Sequence, residues 1–356
     1  MKRILYLNKD GILGGSAISL LLLIKHLKKS YDIFVIFGRD GEFRKVVEKL
    51  HIPVKVINFY GWRQIKNIFR NLYSILKLKI FLKQNKFDII HSNSYEINPL
   101  MVLAAPKDVT TICHIRDLIS YEKARKYLVN RAKVIISISK AVANNLTPLE
   151  NLKVIYNGVD FSEASKSKPF LPIKKIKNKG KILVGIIGNC EERKRQEDFI
   201  KAGIEILKKC KNFYFFIIGN SKTEYGEKLK QLVKDYEQFF YFIPFQKNIF
   251  SILKSLDIIV IASKEEAFGR VAIESAACKK PVIATKIGGL KEIIIHRKTG
   301  LLFPPYNYKK LAEYILLLGK DAVLRKKLGN AGYNYVKQKF THTQYINKIM
   351  NIYELY

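Results

Sequence analysis

The sequence lacks the patterns that mark an exported, disulfide-bonded or membrane-spanning protein. Its four cysteines are scattered, form no C-x-x-C pair and do not cluster with histidine, which argues against a disulfide framework and against a zinc site. The first residues, Met1–Arg3, precede only a short apolar run, and the richest apolar stretch, Ala17–Ile24, is far too short to span a bilayer. We therefore expect a cytoplasmic protein, either free or peripheral on the cytoplasmic face of the cell membrane.

Acidic residues are also scarce. The chain has 30 Asp and Glu against 64 Lys and Arg, a formal net charge of +34. So basic a surface attracts polyanions, which include nucleic acid, anionic lipid and phosphate-rich substrates; alternatively, part of the excess reflects genomic composition. Because the sequence has no helix-turn-helix, zinc-finger or RNA-recognition pattern, we expect no nucleic-acid partner.

The segment Trp62–Lys86 concentrates this imbalance. It carries seven Lys or Arg, and no carboxylate occurs between Glu48 and Asp88. Apolar and aromatic residues recur in it at helical spacing with cations between them. Such a basic amphipathic helix could lie on an anionic membrane surface. The alternative is an ordinary packed helix of an α/β domain with a solvated basic face.

Length and patterning predict two domains. The chain has 356 residues, 48% of them hydrophobic, and only 10 prolines. Apolar runs of strand length alternate with helical patterns, which predicts doubly wound, parallel α/β sheets. A polar, basic stretch with two prolines is typical of a linker. We predict a first domain over residues 1–165, a linker over 166–180, a second domain over 181–335 and a C-terminal helix over 336–356.

A glycine-rich turn follows the first predicted strand. Gly11, Gly14 and Gly15 separate Ile4–Leu7 from an amphipathic segment that Ser16 can cap. A strand, a glycine loop and a helix form a phosphate-compatible arrangement, although the G-x-G-x-x-G fingerprint is missing. A tight turn without a ligand is the alternative interpretation.

Polar side chains follow two further predicted strands of the first half. His91 ends one strand, and His114, Arg116 and Asp117 end another. Loops at the carboxyl ends of strands line the ligand cleft in open α/β sheets. His91 therefore either lies near substrate or merely ends its strand. We expect Arg116 and Asp117 to hold their loop by pairing with each other.

The most informative stretch is Ser263–Glu292. It follows a strand-like run, carries Glu266, breaks at Gly269 and continues as a helical pattern with Glu274 in its first turns. A strand, a glycine break and a helix N-terminus form an anion site, because free N–H groups and the positive end of the helix dipole point at one spot. A carboxylate one turn into that helix suits sugar or ribose hydroxyls, because an ionised acid only accepts hydrogen bonds.

This stretch carries a family resemblance. Glu266, Glu274, the Phe-Gly pair between them and the following PVIAT and Gly-Gly segments resemble the donor-site signature of the family 4 retaining glycosyltransferases of the GT-B fold, also called glycosyl transferases group 1. Further similar segments (S-x-S-K, N-G-V-D and TGLLFPP) extend the resemblance over nearly the whole chain. It implies an α/β fold of two Rossmann-like domains whose parallel sheets face each other across a cleft, with a C-terminal helix that crosses back to the first domain.

The resemblance also implies roles for individual residues. Glu274 would bind the ribose hydroxyls, Glu266 and His114 would contact the transferred sugar, and Lys194 would neutralise the diphosphate. The implied catalytic residues are Glu266, His114 and Lys194. The implied donor-binding residues are Gly14, Gly15, Gly188, Asn189, Arg193, Lys194, Glu266, Ala267, Phe268, Gly269, Arg270, Val271 and Glu274.

One position departs from the family pattern. The family has an arginine directly after the glycine that is Gly188 here, and a lysine five residues later. Lys194 occupies the second position, but Asn189 occupies the first, which removes a cation that Arg193 or Arg195 could replace. Because no D-x-D triad occurs in the chain, we expect protein cations to manage the diphosphate charge, with no metal and no other cofactor.

We therefore expect a retaining, metal-independent hexosyltransferase that moves a sugar from a UDP- or GDP-sugar to a glycan or polyprenyl-linked acceptor in lipopolysaccharide or capsule synthesis. Two alternatives belong to other classes: a GT-B enzyme such as a nucleotide-sugar epimerase, and a non-catalytic module that binds anionic lipid or nucleic acid. The intact set of Glu266, Glu274 and Lys194 favours the transferase. Adjacent Glu265 and Glu266 do not favour a double-displacement hydrolase, because neighbouring loop residues rarely face each other across one bond.

Overall fold

The computed structural model describes residues 1–177 and 180–356, apart from the side chains of Lys174, Lys175 and Lys177. The strands are β1 (Arg3–Asn8), β2 (Asp32–Phe37), β3 (Val54–Val56), β4 (Ile89–Ser92), β5 (Thr110–Ile115), β6 (Val134–Ser137), β7 (Leu152–Val154), β8 (Ile182–Ile187), β9 (Phe213–Ile218), β10 (Phe240–Ile243), β11 (Ile258–Ile261), β12 (Val282–Thr285) and β13 (Leu301–Phe303). The α-helices are α1 (Gly15–Leu27), α2 (Glu42–Glu48), α3 (Ile68–Gln84), α4 (Asn98–Ala104), α5 (Tyr121–Lys126), α6 (Lys140–Asn144), α7 (Phe161–Lys166), α8 (Leu171–Lys177), α9 (Gln196–Leu207), α10 (Glu224–Leu232), α11 (Ile249–Ser255), α12 (Arg270–Ala277), α13 (Leu290–Ile293), α14 (Tyr308–Lys320), α15 (Ala322–Lys339) and α16 (His342–Leu355).

These elements form two compact units. The first unit comprises residues 1–158 together with 342–356, and the second comprises residues 159–341. Each unit contains one sheet whose neighbouring strands are all parallel, in the order β3-β2-β1-β4-β5-β6-β7 in the first and β10-β9-β8-β11-β12-β13 in the second. The α/β prediction with parallel sheets is confirmed.

The core of the first unit explains why the end of the chain belongs to it. Buried apolar side chains of β1, β2 and α1 pack in one cluster with Tyr345, Ile349 and Tyr353 of α16. The ring of Tyr353 meets that of Tyr31 edge-on at 5.7 Å. Because these large side chains of α16 are removed from water only in this cluster, burial of apolar area holds the helix in place.

The core of the second unit is rich in phenylalanine. Phe199 of α9, Phe215 of β9 and Phe240 of β10 are buried together, with ring centroids 5.0–5.6 Å apart. The strands β8, β9 and β11 read as continuous apolar runs, as expected for strands covered on both faces.

The stretch predicted as a linker is largely helical. Residues 166–180 contain α8, and α7 ends at Lys166; residues 178 and 179 of this stretch lie outside the described residues. The stretch packs within the second unit, where the Lys254 ammonium donates to the carbonyl groups of Ser165 and Ser167 at 2.7 and 2.6 Å. Pro172 lies in the first turn of α8, where the missing N–H costs nothing. Pro172 therefore lies at the start of a helix and not in an extended linker.

Candidate active site

The sheet order locates the expected ligand-binding edge of each unit. In open parallel sheets, ligands bind beyond the carboxyl ends of the strands where the strand order reverses. That reversal lies between β1 and β4 in the first unit, and between β8 and β11 in the second. The predicted site residues follow β1 and β5 in the first unit, and β8 and β11 in the second, so sheet topology and sequence motifs select the same edge of each sheet.

In the second unit the loops after β8 and β11 meet through an ion pair. The Lys194 ammonium lies 2.7 Å from Oε2 of Glu266, 72 residues away along the chain. The Ser263 hydroxyl lies 3.5 Å from the same oxygen. Both charged side chains are mostly buried, with 19% and 16% of their surfaces exposed. The structure thus brings together two of the residues for which the resemblance implied contact with the donor.

Glycines after β12 support Glu266 from behind. Gly288 has a φ of +39°, and a Cβ atom there would lie 2.1 Å from the Glu266 carbonyl oxygen. The Gly289 N–H donates to that same oxygen at 3.0 Å. Only a residue without a side chain permits this approach, since it combines a left-handed conformation with a backbone contact. The Gly-Gly pair therefore fixes the backbone that carries Glu266.

The helix α12 begins directly after the loop that carries Glu266. Gly269, its N-cap, has a φ of +109°, and a Cβ atom there would lie 2.7 Å from a methyl group of Leu290. Phe268 is buried, and its ring packs edge-on against that of Phe340 at 5.9 Å. Its side chain therefore belongs to the core, so Phe268 can offer a ligand only its backbone; Ala267 and Val271 flank it in the same turn.

Glu274 lies one turn into α12 and is only 4% exposed. Its Oε1 accepts a hydrogen bond from Nη2 of Arg270 at 2.7 Å, four residues back on the same helix face. Burial raises the pKa of Glu274 above the ordinary value, and the adjacent Arg270 guanidinium opposes that rise. A carboxylate held in this way is oriented and poorly hydrated, which suits recognition of hydroxyl groups.

The arginines near Asn189 are both paired with acids. The Arg193 guanidinium pairs with Glu191 at 2.6 Å on the surface. Arg195 adopts a left-handed conformation with a φ of +52° and binds Asp198 through two nitrogen atoms at 2.7 and 3.0 Å. These contacts do not decide whether one of the arginines supplies the charge lost at Asn189, because Lys194 is paired with an acid as well. That replacement stays a prediction.

Asn189 has a structural contact of its own. Its side-chain oxygen accepts a hydrogen bond from the Asn220 N–H at 3.2 Å, which ties the loop after β8 to the loop after β9. Its carbonyl group accepts from the Gln196 amide at 2.9 Å. Gly188, just before it, has a φ of +146°, and a Cβ atom there would lie 3.7 Å from the Lys194 side chain. At position 189 this chain therefore has, in place of the family's arginine, a side chain that hydrogen-bonds to a neighbouring loop.

The first unit holds a different kind of cluster around Arg116. This buried guanidinium donates to the side-chain oxygens of Asn93 and Asn157 at 2.8 and 3.0 Å and to the Tyr345 hydroxyl at 3.2 Å. The fourth contact, at 3.3 Å, is Nδ1 of His114. The expected pairing with Asp117 is wrong, because Arg116 points into the unit, where neutral acceptors from distant segments satisfy it.

These contacts determine the tautomer of His114. A guanidinium can only donate hydrogen bonds, so Nδ1 of His114 must accept and the ring proton lies on Nε2. Burial, the Arg116 charge and His91 hold the pKa of His114 well below its ordinary value, so the ring is neutral. Nε2 is buried, and no described residue hydrogen-bonds to it. His114 therefore offers one directed N–H donor and no base.

His91 extends the same chain of contacts to α16. Its Nε2 lies 3.3 Å from Nδ1 of His114, and its Nδ1 lies 2.6 Å from the Tyr353 hydroxyl, which contacts that of Tyr6 at 2.7 Å. Burial lowers the pKa of His91 to about 3 and raises the pKa values of both tyrosines, so all three groups are neutral. His91 thus contacts the predicted site residue His114, and its position near substrate stays a prediction.

The glycine loop after β1 differs in part from the prediction. The helix α1 begins at Gly15 with Gly14 as its N-cap, so Ser16 lies inside the first turn and the predicted capping by Ser16 is wrong. A Cβ atom on Gly14 would meet nothing within 4 Å. Gly11 is the residue that sterics require, since a Cβ atom there would lie 2.3 Å from the Gly41 nitrogen. Space over Gly14 is thus open, as a ligand-facing loop needs.

Family comparisons agree with this geometry. Residues 13–163 match the family model described as Glycosyltransferase Family 4, and residues 167–335 match the model described as Glycosyl transferases group 1. The two matches divide the chain close to the boundary between its compact units. The chain belongs to glycosyltransferase family 4.

Similar proteins align with this family 4 glycosyltransferase over most or all of its length. An uncharacterised glycosyltransferase of Methanocaldococcus jannaschii is 29% identical and covers 96% of this chain and 95% of its own. The capsular polysaccharide biosynthesis glycosyltransferase CapM of Staphylococcus aureus is 25% identical over 88% of this chain and 87% of its own. Among solved structures, HepE of Anabaena in complex with UDP-glucose has a TM-score of 0.87 at 23% identity, covering 100% of both chains. With the two parallel sheets, this likeness shows the GT-B fold.

Several features near the predicted site of this glycosyltransferase were not predicted from its sequence. Asn93, Asn157 and Tyr345 contact Arg116, and Tyr353 contacts His91. The signals for these residues were the strand-end position of Asn93 and the N-G-V-D segment that begins at Asn157. In the second unit a cavity of about 300 Å³ opens beside the loop that carries Lys194. Its lining is Glu192, Arg195, Glu197, Tyr225, Lys228, Lys264 and Tyr306. Within the part of the chain that the structure describes, no cluster of His, Cys, Asp and Glu side chains could hold a metal ion.

Proposed function

We propose that this protein is a retaining, metal-independent hexosyltransferase that moves a sugar from a UDP- or GDP-sugar to a glycan or polyprenyl-linked acceptor in lipopolysaccharide or capsule synthesis. The observation that carries the proposal is the contact between Lys194 and Glu266 at the reversal point of the second sheet, with Glu274 one turn into the adjacent helix. These are the groups that a sugar, a diphosphate and a ribose require, in one compact unit.

The chemistry assigns each group a task. Lys194 and the N-terminus of α12 stabilise the negative charge that grows on the leaving diphosphate, and stabilisation of growing charge accelerates the reaction. Glu266, released from Lys194, accepts hydrogen bonds from sugar hydroxyls, and Glu274 accepts them from the ribose. His114 donates a hydrogen bond from its Nε2–H group to an oxygen atom of the sugar. Protein cations take the part that a metal ion plays in other transferases.

The relatives indicate which substrates to test first. HepE was solved with UDP-glucose, and CapM is named for capsular polysaccharide synthesis. UDP-hexoses are therefore the first donors, and lipid-linked saccharides are the first acceptors. A polyprenyl-linked acceptor would place the enzyme at the cytoplasmic face of the cell membrane, within reach of the basic segment Trp62–Lys86.

The experiment begins with thermal shifts. UDP-, GDP-, ADP- and CMP-sugars are added to the protein in EDTA, and a donor that binds only the folded state raises the melting temperature with concentration. We expect UDP- or GDP-sugars to do so, and the shift to fade in Glu274→Gln, which keeps the size of the side chain but not its charge.

Transfer is then measured with the donor so identified. Proton NMR of the product tests the retaining mechanism, because the anomeric configuration of donor and product must agree. Full activity in EDTA supports metal independence, and loss of activity that Mg²⁺ restores contradicts it. Conversion of the donor into its epimer would favour an epimerase, and binding without turnover of any acceptor would favour a non-catalytic module.

A further inference from the structure

The helix α3 presents apolar side chains on two opposite sides. Ile75, Leu78, Phe81 and Leu82 are buried against the first unit, as in any packed helix. Yet six other apolar or aromatic side chains of the same helix are exposed. They are Ile68, Phe69, Leu72, Tyr73, Leu76 and Ile80, with exposed fractions from 47% to 85%. At about 100° per residue, they fall within an arc of about 140° on the side away from the core.

Polar side chains fix this orientation of α3. Asn71 faces the protein, where its side-chain oxygen accepts from the Tyr60 N–H at 3.0 Å and its amide donates to the Tyr60 carbonyl at 3.3 Å. Ser74 donates to the carbonyl group of Asn58. Turning the helix to bury the exposed apolar residues would break these buried hydrogen bonds, which is costly. The helix is therefore held with its polar positions inward and an apolar stripe outward.

Cations border this stripe. Arg70 and Lys77 lie along one edge of it, Lys79 and Lys83 lie within its last turns, and the stretch from 49 to 87 has no carboxylate. The Lys77 ammonium lies 4.3 Å from the centre of the Tyr73 ring. We name the exposed side chains of residues 68–80 together with these cations the α3 face. Trp62 is not part of it, because its indole N–H donates to the Lys126 carbonyl at 3.1 Å and its ring stacks on Phe59.

We propose that the α3 face docks on an anionic lipid bilayer, with its aromatic and aliphatic side chains in the interfacial region and its cations at the headgroups. An apolar stripe bordered by cations combines the two forces that hold interfacial helices at membranes. A second copy of this chain fits less well, because two such faces would bring like charges together. In the described residues no helix is long and apolar enough to cross a membrane.

This inference deepens the membrane location of the proposed function but does not depend on the transfer reaction. Binding is measured by flotation with vesicles of phosphatidylcholine alone or mixed equally with phosphatidylglycerol. We expect binding to the mixed vesicles only, weakening steeply towards about 0.5 M salt, where screening shortens charge interactions to a few Å.

Two variants separate the forces. Arg70→Gln/Lys77→Gln/Lys79→Gln should weaken binding to mixed vesicles by roughly 100-fold, about five-fold per charge. Phe69→Ser/Leu76→Ser/Ile80→Ser should weaken it by about 100-fold or more, since each side chain loses its transfer out of water. The matched control removes three exposed charges elsewhere, Lys320→Gln/Lys326→Gln/Lys327→Gln, and should change binding much less.

Three outcomes would overturn the proposal: equal binding to both vesicle types, unchanged binding by the serine variant, or a dimeric wild type that the serine variant converts to a monomer. Glu274→Gln should bind vesicles like wild type, and the α3 variants should still act on a water-soluble acceptor. Failure of the docking surface is therefore distinguishable from failure of the proposed reaction.

Discussion

The two units stabilise their buried polar groups in opposite ways. In the first unit, Arg116 is surrounded by neutral acceptors, and the histidines beside it are neutral as well. In the second unit, the predicted donor site contains cations paired with acids, as in the pairs Lys194–Glu266 and Arg270–Glu274. The arrangement in the first unit keeps the histidines neutral, whereas the second unit holds its charged side chains in ion pairs.

This difference indicates what each cluster can do when a ligand arrives. Hydrogen bonds among neutral buried groups have few alternative arrangements, so the first cluster presents His114 Nε2–H in one orientation. An ion pair that is only mostly buried can exchange its partner for a stronger anion. A diphosphate carries more charge than a carboxylate, so it can take Lys194 from Glu266 and free that carboxylate for the sugar. The cluster in the first unit is therefore preorganised, whereas the ion pair in the second unit can change its partner.

The substitution Glu266→Gln gives the strongest test of this difference between the two units. We expect sugar transfer to fall by about 1,000-fold, the loss typical of removing one group that acts in the transition state. Affinity for the nucleoside diphosphate should stay or rise a few-fold, because Lys194 no longer has a competing carboxylate. Steady-state kinetics and calorimetric titration with UDP measure the two effects separately.

The adjacent Glu265 is the matched control. It is exposed, so Glu265→Gln removes the same charge one residue away and should leave transfer within a few-fold of wild type. Equal losses in both variants would show that net charge and not the Lys194 contact matters. A large loss of UDP affinity in Glu266→Gln would contradict the idea of an exchangeable pair.

A second prediction concerns the neutral cluster. Arg116→Met should lower the free energy of unfolding by about 3 kcal/mol, since Asn93, Asn157 and Tyr345 each lose a buried donor. Urea denaturation measures this, with the exposed Arg131→Met as control, for which we expect a change within about 0.5 kcal/mol. Nitrogen NMR of the histidines should also show mixed tautomers for His114 in Arg116→Met. An unchanged tautomer would contradict the role assigned to Arg116.

Local patterns were sufficient for most of the fold. Continuous apolar runs such as Ile182–Ile187 predicted strands, because strands covered on both faces need nothing else. The family resemblance implied that Lys194 and Glu266 both contact the donor, but it did not predict their ion pair, and no local spacing could, since 72 residues separate the two. The helix α8 was not predicted, because its proline and lysines are also typical of a linker.

The partners of the first-unit cluster could not be predicted from local pattern. Tyr353 contacts His91 across 262 residues, and Arg116 reaches Tyr345 across 229. No periodicity or motif encodes such pairs, because they form only when α16 packs into the first unit. The same holds for the α3 face: the sequence shows apolar and basic residues, but which apolar residues remain outside is decided by packing.

The smallest predicted effect is the pH dependence of stability, and it tests the neutrality of the first cluster directly. The pKa of His91 falls to about 3 in the folded state, whereas an ordinary histidine has a pKa of about 6.5. Between these values the unfolded chain binds a proton that the folded chain does not, so stability must fall as pH falls, by up to about 1.4 kcal/mol per pH unit. His91→Asn should reduce the measured slope between pH 6 and 5 by about that amount, whatever its effect on absolute stability. The matched control is His51→Asn, which replaces an exposed histidine with a φ of +58° by a residue that tolerates that conformation. A wild-type stability that stays constant through this window would mean that the histidines titrate normally, and the fixed tautomer of His114 would lose its basis.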